Sequence, residues 1–99
     1  MTYQIVLHPD ALLELNQSFQ WYEECSEGLG QRFLAAVQNK FDKLSYTPEL
    51  YAKKKGSYRA AVVQDFPYTI IYQILEKQKV VFISFVFHTK RNPRLKFRR

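Results

Sequence analysis

The chain has 99 residues, of which 46% are hydrophobic and 16% aromatic, and its formal net charge is +6. This length predicts one domain over residues 1–99, and this composition excludes an intrinsically disordered chain. No apolar run approaches the roughly 20 residues of a membrane helix, and the single cysteine, Cys25, excludes internal disulfides and a cysteine-built zinc site.

A short strand opens the chain, and two amphipathic helices follow it. Residues 3–7 are rich in β-branched and aromatic side chains, and Pro9 followed by Asp10 is typical of a helix N-terminus. Apolar residues then recur at steps of three and four, which predicts one buried stripe on each helix. The first stripe is Leu12, Leu15, Phe19 and Tyr22, and the second is Leu34, Val37, Phe41 and Leu44. The break at residues 26–30 predicts an antiparallel helical hairpin, which ends at Pro48.

Three strands are predicted after Pro48, over residues 58–64, 68–75 and 80–87, because β-branched and aromatic residues dominate there and polar turns separate them. The last strand is apolar on both faces except for Ser84, so we expect it inside the sheet with the N-terminal strand on its free edge. One face of the middle strand carries Tyr68, Ile70, Tyr72 and Ile74. The predicted fold is α+β, with the helical hairpin packed on one face of an antiparallel sheet of about four strands.

Charge is distributed unevenly along the chain. Residues 1–52 hold three basic and seven acidic residues, which gives −4, whereas residues 53–99 hold twelve basic and two acidic residues, which gives +10. This polarity indicates an anionic partner, either nucleic acid or an acidic protein; the alternative is a solvated tail that aids solubility. The basic residues near the C-terminus are Lys90, Arg91, Arg94, Lys96, Arg98 and Arg99.

Two groups of residues are candidates for a functional site. His88 and Arg91 follow the most apolar strand, where an imidazole could move a proton and a guanidinium could hold a phosphate during RNA cleavage. The alternative is a structural histidine beside a basic tail. The second group could contact phosphates and stack on bases, or it could be a charged loop that enters an edge strand. It consists of Lys53, Lys54, Lys55, Tyr58 and Arg59.

Other residues with functional chemistry receive structural interpretations. His8 is expected to flank the first helix, and the carboxylates of the helical half are expected on a solvated face. These carboxylates are Glu14, Glu23, Glu24 and Glu27, and the helix aromatics, mostly expected in the core, are Trp21, Tyr22, Tyr46 and Tyr51. Any exposed aromatic among them would anchor a partner helix. No phosphate loop, metal-ligand spacing or secretory signal is found, so we expect a cytosolic protein with no cofactor and no metal.

Five segments in a fixed order carry a family resemblance: His8-Pro9-Asp10-Ala11, Leu44-Ser45-Tyr46-Thr47-Pro48, Tyr58-Arg59, residues 66–72 (FPYTIIY) and residues 86–93 (VFHTKRNP). In this order the chain resembles the RelE/ParE superfamily of bacterial toxins from type II toxin-antitoxin modules. The resemblance covers nearly the whole chain. It implies two helices packed on an antiparallel sheet, and a small basic toxin that a cognate acidic antitoxin neutralises.

The superfamily divides by target. Nucleases of the RelE kind usually carry an arginine where this chain has Thr69, and YoeB-like nucleases carry a tyrosine where it has Thr89. The Phe66-Pro67-Tyr68 segment and the His88-x-x-Arg91 ending are similar to the ParE branch, whose studied members poison DNA gyrase without being enzymes. The resemblance therefore implies a plasmid-stabilising toxin that inhibits growth by binding gyrase. Its target-binding residues would be Lys53, Lys55, Tyr58, Lys90 and Arg94.

Two alternatives to gyrase binding stay open. A ribosome-dependent endoribonuclease acting on messenger RNA would use His88 as proton donor or acceptor. Its transition state would be stabilised by Lys54, Arg59 and Arg91. An inactive relative would only bind an antitoxin, or act with it on an operator. The expected assembly is a toxin-antitoxin hetero-oligomer or a homo-oligomer, with a basic tail at about residues 92–99.

Overall fold

The computed structural model describes residues 2–90, and within that range the chain forms two α-helices and five strands. Their bounds are β1 (Gln4–Leu7), α1 (Pro9–Cys25), α2 (Leu29–Tyr46), β2 (Lys53–Lys55), β3 (Tyr58–Val62), β4 (Tyr68–Leu75) and β5 (Val80–His88), with a 3-10 turn at Pro48–Leu50. Arg91, Arg94 and the basic tail at residues 92–99 lie outside the described residues. Neither helix is long and apolar enough to cross a membrane.

His8 and Pro9 build the turn from β1 into α1. The imidazole Nδ1 of His8 accepts a hydrogen bond from the backbone N–H of Asp10 at 3.0 Å, so His8 caps the first turn. Pro9 lies in that first turn, where a backbone N–H has no partner within the helix. The predicted start of the helix is confirmed, and His8 flanks it as expected.

Glu23 and Gly30 fix the close packing of α1 against α2. The two carboxylate oxygens of Glu23 accept the backbone N–H groups of Gly28 and Gly30, each at 2.9 Å. These bonds satisfy N–H groups that the start of a helix leaves open. A Cβ atom at Gly30 would lie 2.7 Å from the carbonyl oxygen of Phe19, so this approach requires glycine. The expectation that Glu23 belongs to a solvated face is therefore wrong, because it is half-buried and holds the hairpin together.

β5 lies inside the sheet, between β1 and β4, as predicted. The strand order is β1-β5-β4-β3-β2. β1 pairs in parallel with β5, from Gln4 opposite Val80 to Leu7 opposite Ile83, and the other neighbouring strands are antiparallel. The α+β fold with a helical hairpin on an antiparallel sheet is confirmed, with this one parallel pair at its edge.

The sheet has five strands in residues 2–90, where about four were expected. The additional strand is β2, which pairs with β3 through Lys53 opposite Arg59 and Lys55 opposite Tyr58. All three of its residues are exposed lysines. The strand therefore lacks the alternation of apolar and polar residues by which a half-buried strand is recognised in a sequence. Exposed lysines on an edge strand discourage pairing with a further strand.

The core fills the space between the helices and one face of the sheet. The stripe predicted for α1 is wrong at Leu12, which is 48% exposed, because Ala11 is the residue that faces the sheet. On α2 the predicted stripe is wrong at Leu34, which is only half-buried, because Phe33, one residue earlier, takes the fully buried place. Largest among the fully buried side chains are Tyr72, Phe33, Leu44, Ile70, Ile83, Val37, Val63, Val81 and Val86.

Two of the four helix aromatics lie outside the core. Tyr22 is buried and Tyr51 half-buried, whereas Trp21 is 53% and Tyr46 67% exposed. Tyr22 and Trp21 are consecutive on α1, so their rings meet edge to face at 5.0 Å while only one of them reaches the sheet. Trp21 and Tyr46 are therefore the exposed aromatics that are expected to anchor a partner helix.

A β-bulge at Ser84 changes which side chains of β5 face the helices. Tyr72 lies opposite Ile83 and Ile71 opposite Phe85, so two residues of β5 occupy the length of one on β4. Val81 and Ile83 face the core before the bulge and Val86 faces it afterwards. The opposite face of the sheet, which we call the second face, carries Phe82, Phe85, Phe87, Thr69 and Ile71, and of these Phe85, Thr69 and Ile71 are buried.

Candidate functional site

The register of the sheet places the two candidate groups far apart. His88 lies opposite Tyr68 at one end of β4, and Arg59 lies opposite Tyr72 further along the same strand. Those positions are separated by about 13 Å along β4, and β3 and β5 are about 10 Å apart across it. The structure therefore does not bring Arg59 together with His88.

Arg59 is held by the backbone of the segment that precedes β2. Its Nη1 donates to the carbonyl oxygen of Tyr51 at 2.7 Å and to that of Glu49 at 3.3 Å. Beside it, the hydroxyl of Tyr72 donates to the carbonyl oxygen of Pro48 at 2.7 Å, and burial raises the pKa of Tyr72 to about 12, against a smaller lowering by the charge of Arg59. Arg59 and Tyr72 thus fix the link between α2 and the sheet.

Two threonines occupy the positions where the nuclease branches carry an arginine and a tyrosine. Thr69 on β4 and Thr89 after β5 lie close together, with their Oγ1 atoms 3.0 Å apart in a hydrogen bond. Thr69 is only 8% exposed. A pair of hydroxyls that satisfy each other supplies neither a positive charge nor a group that ionises near neutral pH.

His88 is half-buried at the end of β5, where its ring meets that of Tyr68 edge to face at 5.5 Å. Its Nδ1 accepts a hydrogen bond from the backbone N–H of Lys90 at 3.2 Å. In the neutral imidazole this bond assigns the proton to Nε2, which makes that nitrogen a donor. Lys90 itself is exposed beside it.

A cavity of about 470 Å³ opens between α1 and the end of β5, and we call it the α1–β5 groove. Its helix wall consists of Glu14, Gln17, Ser18 and Trp21, and its sheet wall of Tyr68, Val86, Phe87 and His88. Glu14 Oε1 accepts the backbone N–H of Val86 at 3.1 Å. The expectation of a solvated face is therefore wrong for Glu14 as well, because it is half-buried against β5.

The exposed lysines of β2 form the second surface. Lys53 lies opposite Arg59, on the helix side of the sheet, and Lys55 lies opposite Tyr58, on the second face. We call Lys53, Lys54, Lys55 and Tyr58 the basic edge. The structure brings these four residues together and leaves His88 and Lys90 at the other side of the sheet, while Arg91 and Arg94 lie outside the described residues.

The groove residues Glu14 and Trp21 were not recognised as a site from the sequence. The available signal was their helical spacing, since Glu14, Gln17, Ser18 and Trp21 fall on one face of α1. What the sequence could not supply was the strand that this face meets. Within residues 2–90, no three His, Cys, Asp or Glu side chains are placed to share a metal ion.

A helical hairpin on a small sheet is also the fold of solved proteins from toxin-antitoxin systems. The chain is similar to a protein of the chromosomal ParDE system from P. aeruginosa, with TM-score 0.72 and 12% identity over 90% of this chain and 98% of that one. It is also similar to a mutant of the E. coli toxin RelE in the free state, with TM-score 0.62 and 17% identity over 93% of this chain and 88% of that one. It is similar as well to the archaeal RelE-RelB complex from Pyrococcus horikoshii OT3, with TM-score 0.56 and 21% identity over 92% of this chain and 99% of that one.

The family follows from the sequence rather than from these low-identity structures. The family model described as the ParE toxin of the type II toxin-antitoxin system parDE matches residues 5–93. The chain therefore belongs to the ParE toxin family, which confirms the resemblance drawn from its motifs. No curated protein sequence matches it.

Proposed function

We propose that this toxin inhibits growth in the cytoplasm by binding DNA gyrase, without cutting RNA, and that a cognate antitoxin neutralises it. The observation that carries the proposal is the distance between Arg59 and His88. Cleavage of a phosphodiester needs a proton donor or acceptor and a cation within hydrogen-bond reach of the same phosphate. The positions of these residues differ by about 13 Å along the sheet alone.

The bonding of Arg59 supports the same proposal. A guanidinium that donates to two carbonyl oxygens has fewer N–H groups to offer a phosphate, and a movement toward His88 would break both bonds. Thr69 and Thr89 bond each other where nucleases of this superfamily carry an arginine and a tyrosine. Binding to a protein target needs none of these groups.

The surface we propose for the target is the basic edge together with the exposed Val62 on β3 beside it. Lys53 and Lys55 are exposed, Tyr58 is half-buried, and Val62 on β3 is 59% exposed. An aromatic and apolar patch with lysines at its rim has the composition of a protein interface. Lys90 lies near the other end of the same sheet.

A ribosome-dependent nuclease remains the second candidate because His88 and Glu14 line the same groove. An imidazole and a carboxylate facing one cavity can move a proton between them and a bound group. In that hypothesis Lys54 and Arg59 would have to reach the same phosphate as His88. Arg91 would supply the remaining cation.

Induction in a bacterial host, with growth, plasmid supercoiling and messenger-RNA ends recorded from the same cultures, separates the two candidates. We expect arrest with altered supercoiling, for wild type and for His88→Ala alike. Arrest with ribosome-phased cuts that His88→Ala abolishes would establish the nuclease instead.

A double variant, Lys53→Ala with Lys55→Ala, tests the basic edge. We expect it to relieve the arrest, whereas Lys77→Ala, an exposed lysine on the turn between β4 and β5, should leave the arrest intact. Equal arrest by both variants would contradict a role for the basic edge. Co-expression of the neighbouring gene should restore growth if that gene encodes the antitoxin. A plasmid that carries both genes should then be stably maintained.

A further inference from the structure

β5 continues beyond the point where β1 leaves it. The last bond between the two strands runs from the N–H of His8 to the carbonyl oxygen of Ile83 at 2.8 Å, and the chain then turns into α1 at Pro9. β5 extends to His88. Its final residues therefore border the α1–β5 groove along the line that β1 would have followed.

Hydrogen bonds show which way the backbone points at Val86. The Val86 N–H donates to Glu14, so it is directed away from β4 and toward the groove. In an antiparallel ladder, residues with outward-pointing groups alternate with residues that bond the partner strand. His88, two residues further on, must then have the same orientation as Val86.

Tyr68 confirms the orientation of His88, which lies opposite it. Tyr68 donates its N–H to the carbonyl oxygen of Phe66 and accepts the N–H of Val63, so its backbone groups point away from β5. Both members of such a pair point outward. The carbonyl of Val86 and both the N–H and the carbonyl of His88 therefore point away from β4 and into the groove.

We propose that the α1–β5 groove binds an extended segment of the antitoxin as a short strand, parallel to β5 and in line with β1. The inference rests on the proposed function only in naming the antitoxin as the source. An antiparallel strand would need the Val86 N–H that Glu14 holds. In a parallel ladder, one residue opposite Phe87 donates to the Val86 carbonyl and accepts from the His88 N–H, which leaves Glu14 in place.

The walls of the groove define the side chains that flank this central residue. The central residue lies opposite Phe87, so its side chain points away from α1, as that of Phe87 does. Neighbours along a strand point to the opposite face, so the residues before and after the central residue point toward α1. The residue before it lies near Glu14, Gln17 and Ser18, which suit a polar donor such as threonine. The residue after it lies near Trp21 and Tyr68.

An aromatic cavity of about 330 Å³ receives that last side chain. It is lined by Trp21, Tyr68, His88 and Lys90. Rings of this kind pack favourably against another aromatic side chain, and Lys90 at the rim favours an acidic residue next in the segment. The segment recognised thus has three residues in order: a polar donor, any residue except proline, and a large aromatic. Proline is excluded from the central position because it lacks the N–H that this position needs.

The probe for the groove is the capped peptide acetyl-Thr-Val-Phe-Asp-amide, titrated into the isotope-labelled full chain and followed by amide NMR. We expect the His88 amide to shift downfield and to exchange more slowly. N-methylation of the valine in the peptide should weaken binding about fivefold, because it removes one backbone hydrogen bond. Equal binding of the N-methylated peptide, or shifts confined to β2 and β3, would overturn the proposal.

Trp21→Ala tests the aromatic cavity, and Tyr46→Ala is its matched control. Both replace an exposed helix aromatic, but only Trp21 borders the groove. We expect Trp21→Ala to weaken the peptide about tenfold, the loss typical of an interface aromatic, and Tyr46→Ala to leave it unchanged. A loss that is the same for both variants contradicts binding in the groove.

Calorimetry with the protein encoded beside this chain then tests the source of the segment. We expect it to bind Trp21→Ala about tenfold more weakly than Tyr46→Ala, and the peptide to compete with it. Equal affinities without competition would overturn the antitoxin as occupant and leave the proposed pairing intact. No binding to the wild-type chain would instead contradict the proposed antitoxin, while the peptide titration still decides strand addition.

Discussion

Replacement of Arg59 by alanine tests whether this residue is structural. The change removes two hydrogen bonds from a charged group, a good one to Tyr51 at 2.7 Å and a longer one to Glu49 at 3.3 Å. Bonds that involve a charged group contribute about 1.5–3 kcal/mol, and the half-exposed site and the longer second bond favour a total of about 2 kcal/mol. For a chain of this length, that loss corresponds to a fall in Tm of roughly 10 °C.

The assay is urea denaturation followed by Trp21 fluorescence, with thermal melting as a second measurement. Arg32→Ala is the control, because Arg32 is exposed on α2 and a surface substitution of this kind changes stability by less than about 0.5 kcal/mol. Arg59→Lys should lie between the wild type and Arg59→Ala, since an ammonium can reach one of the two carbonyls. An Arg59→Ala variant that is as stable as wild type but has lost its toxicity would refute the structural role. It would favour a functional site that includes Arg59.

Two further predictions concern the core. Gly30→Ala should lower the free energy of unfolding by about 1–3 kcal/mol, because a Cβ would lie 2.7 Å from a backbone oxygen of α1; a urea midpoint above that of the wild type, or equal to that of Gln31→Ala, would contradict it. Tyr72→Phe should cost about 1 kcal/mol at pH 8 through the lost bond to Pro48. Because burial raises the pKa of Tyr72 from 10.0 to about 12, the stability it contributes is present below pH 10 and is lost as the pH rises toward 12. Unfolding measured across that window should therefore show a steeper loss for wild type than for Tyr72→Phe, and equal slopes would contradict the assignment.

Much of the fold could be predicted because local signals and burial agree in the helical hairpin. Pro9 after His8 marks one helix start, and Thr47-Pro48 marks one helix end, each for reasons confined to a few residues. The apolar character of β5 on both faces predicted its place inside the sheet, since a strand between two others is covered on both sides. At Leu12 the same periodicity failed, because a small residue beside it, Ala11, allows the helix to approach the sheet.

The arrangement of the candidate site depended on long-range register, which the sequence does not display. The distance between Arg59 and His88 is set by the pairing of β3 and β5 with β4, and the bulge at Ser84 shifts that pairing by one residue. Glu14 and Glu23 are indistinguishable from surface carboxylates by pattern alone. Their roles appear only when Val86 and the N-terminus of α2 lie within reach.

Supercoiling by purified gyrase, titrated with the purified chain, decides whether this toxin acts on gyrase. We expect inhibition near one toxin per gyrase active unit, unchanged for His88→Ala, with no cleavage of messenger RNA on translating ribosomes. Normal supercoiling at that ratio, together with ribosome-dependent cleavage that His88→Ala abolishes, would contradict it.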